Sequence, residues 1–163
     1  MEKDKGERFD RTFGAYRVQI YAFFLGRTRC REEALDLVQE TYARMWRSIE
    51  RVPNEDRAER LWLFRTAKNL LTDHYRRTVR KSSISLAEKE LPVRGGAEES
   101  LDLRCLLEAI GRLPAPRREI LTMSVVGQMS SDEIGELLNR PAGTIRYELS
   151  KAREELAKEV DPR

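Results

Sequence analysis

The sequence predicts an all-α protein built as two small helical domains joined by a flexible linker, the C-terminal domain containing a helix-turn-helix. Three observations predict it. Apolar residues recur at helical spacing along nearly the whole chain, and nothing reads as a pair of strands. A stretch rich in Ser, Pro and Gly, "KSSISLAEKELPVRGGAEES", interrupts that pattern midway. The 163 residues, 40% hydrophobic and 36% charged, suffice for one ordinary core or two small ones under a very polar surface. The expected division is a first domain over 1–80, a linker over 81–100 and a second domain over 101–163.

Each element follows from its periodicity. A first helix is predicted from about Phe9 to Thr28, with Phe13, Tyr16, Val18, Ile20 and Phe24 apolar. A second runs from about Glu32 to Arg51 on a stripe of Leu35, Val38, Tyr42, Met45, Trp46 and Ile49. Pro53 in "VPNEDR" breaks the chain. A third helix runs from about Asp56 to Arg80 with Leu61, Phe64, Ala67, Leu71 and Tyr75 inward. After the linker, which has room for one short helical turn, four helices are predicted: Leu101–Arg112, Pro116–Val126, Ser131–Asn139 and Pro141–Glu159. Pro116 suits a first helical turn. Ser130 or Ser131 with Glu133 is close to capping-box spacing.

Charge and composition exclude several classes. Net charge is only +3, but the first 80 residues are net basic and the last third is nearly balanced. No apolar run approaches a bilayer span, and "MEKDKGERFD" carries no hydrophobic signal region, so a cytoplasmic chain without membrane insertion is expected. Cys30 and Cys105 stand alone and read as two reduced thiols. The sole histidine, His74, has no partner at metal-ligand spacing, so no metal is expected. No nucleophile–base–orienter set and no phosphate-binding loop is present. The expectation is a non-enzyme that needs no cofactor.

Three helices carry surfaces of interest. "SDEIGELLNRPAGTIRYELSKAR" gives two short amphipathic helices across a tight turn, a helix-turn-helix. Behind the second lie Ile145, Leu149, Ala152 and Leu156. Opposite them lie Gly143, Tyr147 and Ser150, flanked by Arg146 and Lys151, with Thr144 near the helix N-terminus. That face suits a DNA groove and its phosphates, although an ordinary solvated helix pair accounts for the same residues. On the second helix, Leu37 projects away from the predicted stripe beside Glu33, Asp36, Glu40, Arg44 and Arg47. An apolar anchor with a charged rim describes a protein-binding face, and equally an isolated surface leucine. The third helix sends Trp62, Arg65, Asn69, Thr72, Asp73, Arg76 and Arg80 outward. These suit phosphates, base edges and base stacking, or a packed tryptophan beside a solubilising face. From these features alone, a stand-alone helix-turn-helix regulator and a helical protein-binding adaptor stay open.

Three segments, in order, resemble one family. "EEALDLVQETYARMWRSI" is similar to the Asp-Leu-Val-Gln-Glu segment by which sigma factors dock on RNA polymerase. "LWLFRTAKNLLTDHYRR" resembles their promoter-melting segment, and "LPAPRREILTMSVVGQMSSDEIGELLNRPAGTIRYELSKAREEL" their C-terminal promoter-binding domain. The short linker matches the extracytoplasmic-function group of the sigma-70 family. The resemblance implies that Asp36, Leu37, Gln39, Glu40 and Arg44 face the clamp helices of the polymerase's largest subunit. It implies that Trp62, Arg65, Asn69, Asp73 and Arg76 lie at the −10 element, and that the loop from about Val52 to Glu59 helps select a flipped-out base. Thr144, Arg146, Tyr147, Ser150 and Lys151 would meet the −35 element. Further implied partners are the flap of the second-largest subunit, promoter DNA and an anti-sigma factor. The linker would run toward the RNA exit path. Two departures stand out. Tyr147 and Glu148 replace the family's commoner Ser-Arg, which bears on the −35 sequence, and Thr66 stands where Ile is commoner.

Overall fold

A computed structural model describes residues 2–81, 105 and 108–160. Beyond Lys81, the linker expected over 81–100 lies outside the described residues, as do 101–104 and 106–107 of the expected Leu101–Arg112 helix and the side chains of Arg80 and Lys81. Helices α1 (Glu2–Thr28), α2 (Arg31–Arg47) and α3 (Asp56–Lys81) form the first domain. Residues 108–111 are helical, and α4 (Ala115–Val125), α5 (Ser131–Leu138) and α6 (Ala142–Val160) complete the second. Every element among the described residues is a helix, as the periodicity predicts. The helix α1 begins at Glu2, before the expected Phe9, because its first turn carries no apolar period and is favoured instead by Glu2 and Asp4 at the positive end of the helix dipole. It stops where Arg29 adopts a left-handed φ of 57° and Cys30 is extended. The helix α2 ends at Arg47 rather than Arg51, and Ser48 donates its amide to the Arg44 carbonyl as the chain turns.

Packing in the first domain corrects the second helix. The buried stripe of α2 is Ala34, Leu37, Val38, Thr41, Tyr42 and Met45. Leu37 is 6% exposed and belongs to the core, whereas Leu35 is 40% exposed and Trp46 48%. The stripe is rotated because Ala34 and Thr41, small enough for close helix approach, face inward, and the Thr41 hydroxyl is satisfied by donating to the Leu37 carbonyl at 2.7 Å. Trp46 still meets Phe9 edge-to-face at 5.4 Å. Val18, expected among the apolar positions of α1, is exposed, since Ile20, Phe23, Phe24 and Leu25 supply that helix's core. On α3, Leu61, Phe64, Ala67 and Leu71 are buried as predicted, and Tyr75 donates to the Arg27 carbonyl at 2.6 Å. Leu37→Ala is expected to leave a cavity and lower stability by about 2–5 kcal/mol. Chemical denaturation measures it, and an unchanged midpoint contradicts the placement.

The second domain packs Ile120, Leu121 and Met123 of α4, Ile134 and Leu137 of α5, and Ile145, Leu149 and Ala152 of α6. Ser130 caps α5 in a full capping box. It accepts from the Glu133 amide at 3.2 Å, and Glu133 accepts from the Ser130 amide at 3.0 Å. The α5–α6 turn is tight. Asn139 is left-handed at φ 55°, and Arg140 donates its amide to the Gly135 carbonyl at 2.9 Å. A Cβ on Gly135 would lie 2.6 Å from the Arg140 carbonyl oxygen, so only glycine lets the two helices close this angle.

The two domains touch. The helix α4 packs on α1, and α5 packs on α3. Phe64, fully buried, abuts Gly127, and one continuous apolar core runs through both halves.

Candidate nucleic-acid interface

The second helix of the helix-turn-helix presents the predicted face. Ile145, Leu149 and Ala152 are buried behind it, while Thr144, Arg146, Tyr147 and Ser150 are exposed and Lys151 is half-buried. Tyr147 is 57% exposed, a large cost in open apolar surface for a side chain with no packing role. The Lys151 ammonium lies 5.7 Å over its ring and 3.4 Å from Glu154. That arrangement steers the tyrosine outward and keeps the cation at the rim. Glu148 turns away from the face. It accepts from the Arg117 Nε at 2.8 Å, and Arg117 also binds Glu155. Glu148 and Glu155 therefore fasten α6 to α4, and the carboxylate of Glu148 is held away from the exposed face of Thr144, Arg146, Tyr147 and Ser150.

On α3 the outward stripe is confirmed in part. Arg65, Asn69, Asp73 and Arg76 are exposed, but Trp62 is half-buried and packs against the core. The stripe is thus a polar row beginning with an aromatic held in place from behind. Arg65 is engaged in the other domain, 3.8 Å from Glu136 of α5. Such a half-exposed pair is worth about 0–1 kcal/mol and breaks readily.

On α2, Asp36 and Gln39 are exposed, and Glu40 and Arg44 are half-buried. Glu40 accepts from Arg44 at 3.4 Å and from Arg47 at 3.1 Å, so the three are ordered as a network. Leu37 does not join them. The apolar side chain at the edge of this face is Leu35.

A contact that the sequence did not signal joins the domains. Arg60 of α3 donates to the Glu133 carboxylate at 2.7 Å, with Arg57 3.4 Å from the same oxygen. Glu133 is 5% exposed. Burial pushes its carboxyl up, but the Ser130 amide and the Arg60 guanidinium outweigh burial and hold it below the usual carboxylate range. A carboxyl held low stabilises the contact above the ordinary Glu range, and that contribution is lost as pH falls through the lowered value. The capping spacing marks Glu133 locally. Nothing local marks a partner 73 residues away.

Among the described residues, no group of three or more His, Cys, Asp or Glu is placed to hold a metal ion, and no helix is long and apolar enough to cross a membrane. Cys30 and Cys105 are both free thiols.

Comparison with known proteins bears on these surfaces. Residues 12–81 match the family described as Sigma-70 region 2, and residues 103–156 match Sigma-70, region 4. The chain is 30% identical to the ECF RNA polymerase sigma-E factor of Salmonella typhimurium, over 78% of this chain and 73% of that protein. It is 27% identical to the ECF RNA polymerase sigma factor SigW of Bacillus subtilis, over 98% of this chain and 92% of that one. Among solved structures, it is similar to the sigma factor RpoE of Bartonella quintana, crystallised with the anti-sigma factor NepR. That match has a TM-score of 0.74 at 22% identity and covers 94% of this chain and 98% of that one, a likeness of fold.

Proposed function

Since the chain belongs to the extracytoplasmic-function sigma factors of the sigma-70 family, we propose that its three exposed stripes divide the work of promoter-directed initiation. Asp36, Gln39, Glu40 and Arg44 on α2 dock on the polymerase clamp helices. Trp62, Arg65, Asn69, Asp73 and Arg76 on α3 engage the −10 element as its strands part, with the α2–α3 loop selecting a flipped base. Thr144, Arg146, Tyr147, Ser150 and Lys151 on α6 meet the −35 element, and the second domain also meets the polymerase flap. The observation that carries the reading is that these polar, aromatic and cationic stripes lie on three helices of one chain, each backed by core. A stand-alone regulator has no use for the α2 face, and a protein adaptor has none for α6. The factor is not itself an enzyme, acts in the cytoplasm with its polymerase, and is held by an anti-sigma factor. The complex of the similar RpoE with one supports that last element.

The closed contact fits this reading only if it opens. Elements about 25 base pairs apart along DNA are separated by about 85 Å. A folded chain of this size has a radius of gyration of about 15 Å. The linker sequence over 81–100 can span at most about 70 Å, enough to carry the second domain across. With Arg65 on Glu136 and Arg60 on Glu133, the closed form holds α3 against α5, so promoter engagement separates them. Arg57→Ala with Arg60→Ala removes the charge-assisted contact, worth about 1.5–3 kcal/mol, while the Ser130–Glu133 cap stays intact. The double variant is expected to expand the free protein in small-angle scattering and to tighten polymerase binding. An unchanged radius of gyration contradicts it. The reading as a whole is tested by footprinting polymerase core with this chain on promoter DNA. Protection of two elements that both disappear without the chain supports it, and protection independent of the chain sinks it.

A further inference from the structure

One arginine of the first domain joins three parts of the chain. Arg8, on α1 and ahead of the residues matching region 2, reaches the turn between α2 and α3. Its Nη1 donates to the Ile49 carbonyl at 2.8 Å, and its Nη2 lies 2.8 Å from both the Val52 and the Pro53 carbonyls. Nε and Nη2 also meet the Glu59 carboxylate at 3.3 and 3.1 Å. Glu59 is 4% exposed, and its other oxygen accepts from the Thr12 hydroxyl at 2.6 Å. One guanidinium thus grips the end of the α2 turn, two successive loop carbonyls and the first turn of α3. The fork geometry of arginine permits this, and a single ammonium cannot span it. Pro53, Asn54 and Glu55, at the tip of the gripped loop, remain exposed.

We propose that Arg8 is a positioning residue for base selection at the −10 element: by fixing the carbonyls of Val52 and Pro53 against Glu59, it sets the path of the loop and hence where Asn54 and Glu55 point. The proposal rests on the reading above that this loop selects a flipped base. A buried clamp is suited to the task, because a contact group displaced by an ångström loses most of its discrimination. A purely structural clamp predicts something different: lower stability and lower output from all promoters alike.

The test is transcription by polymerase core loaded with the full chain, on promoters carrying each of the four bases at every −10 position. Arg8→Lys keeps a charge for Glu59 but loses the carbonyl grip. It is expected to cut the preferred-to-disfavoured ratio at one position by about tenfold, at the same position that Asn54→Ala or Glu55→Ala alters, with polymerase binding unchanged. If Arg8→Lys scales all promoters down together while the loop variants still reshape preference, the clamp is only structural and the proposal is wrong. If neither Arg8→Lys nor the loop variants alter preference, the loop reading fails and the proposal falls with it. Should Arg8→Lys not fold, Glu59→Gln, which weakens the hold on α3 at nearly constant size, is judged by the same ratio.

Discussion

Trp62→Ala with Asn69→Ala should lower open-complex formation by more than about tenfold while closed-complex binding changes little. Stacking an unpaired base on an aromatic ring is worth about 1–3 kcal/mol, and a lost base-edge hydrogen bond adds a cost of similar order. Both act only after strands separate, so the loss falls on melting. Trp62 also packs against the core, so two further measurements keep the outcome interpretable. Asn69→Ala alone is exposed and should keep the wild-type denaturation midpoint. Trp62→Phe keeps both packing and a stacking face and should restore much of the activity. Permanganate reactivity of unpaired thymines reads the melted state. Wild-type reactivity in a folded double variant contradicts the α3 assignment.

The largest loss is expected on α2. Asp36→Arg with Gln39→Ala should abolish recovery of polymerase core with the protein. Interface anchors each cost about 2 kcal/mol or more when removed, and a like-charge juxtaposition costs several more. Both residues are exposed and neither contributes to the core, so the fold should be unaffected. Leu37→Ala is the contrast: it weakens the fold and spares the docking surface. Core recovered equally by wild type and the double variant shows that this face does something else.

The contrast between Leu37 and Tyr147 shows what was legible in the sequence. On α6 the core positions Ile145, Leu149 and Ala152 are clear helical repeats, so the opposite face could be projected correctly and Tyr147 is indeed exposed. On α2 the apolar residues are dense, and Leu35 and Trp46 suggest a stripe rotated from the real one. The true stripe is completed by Ala34 and Thr41, residues whose burial depends on how closely a neighbouring helix approaches. Hydrophobicity alone does not report that distance. Contacts between distant residues were the other gap. Arg8 on the Ile49, Val52 and Pro53 carbonyls, Arg60 on Glu133 and Arg117 on Glu148 each join residues far apart in the chain. Periodicity locates the helices and says nothing of which polar side chains meet once they pack. Glu148 illustrates the consequence: an acid next to the exposed Tyr147 on a face proposed for DNA is anomalous in sequence and ordinary once its partner Arg117 is known.

Whether this chain directs initiation is decided by run-off transcription with purified polymerase core on a library of promoters. With this chain, core is expected to transcribe from a restricted set of sequences sharing two elements about 25 base pairs, or about 85 Å, apart, and without it to start at none of them. Transcription from the library that is the same with and without the chain would contradict it.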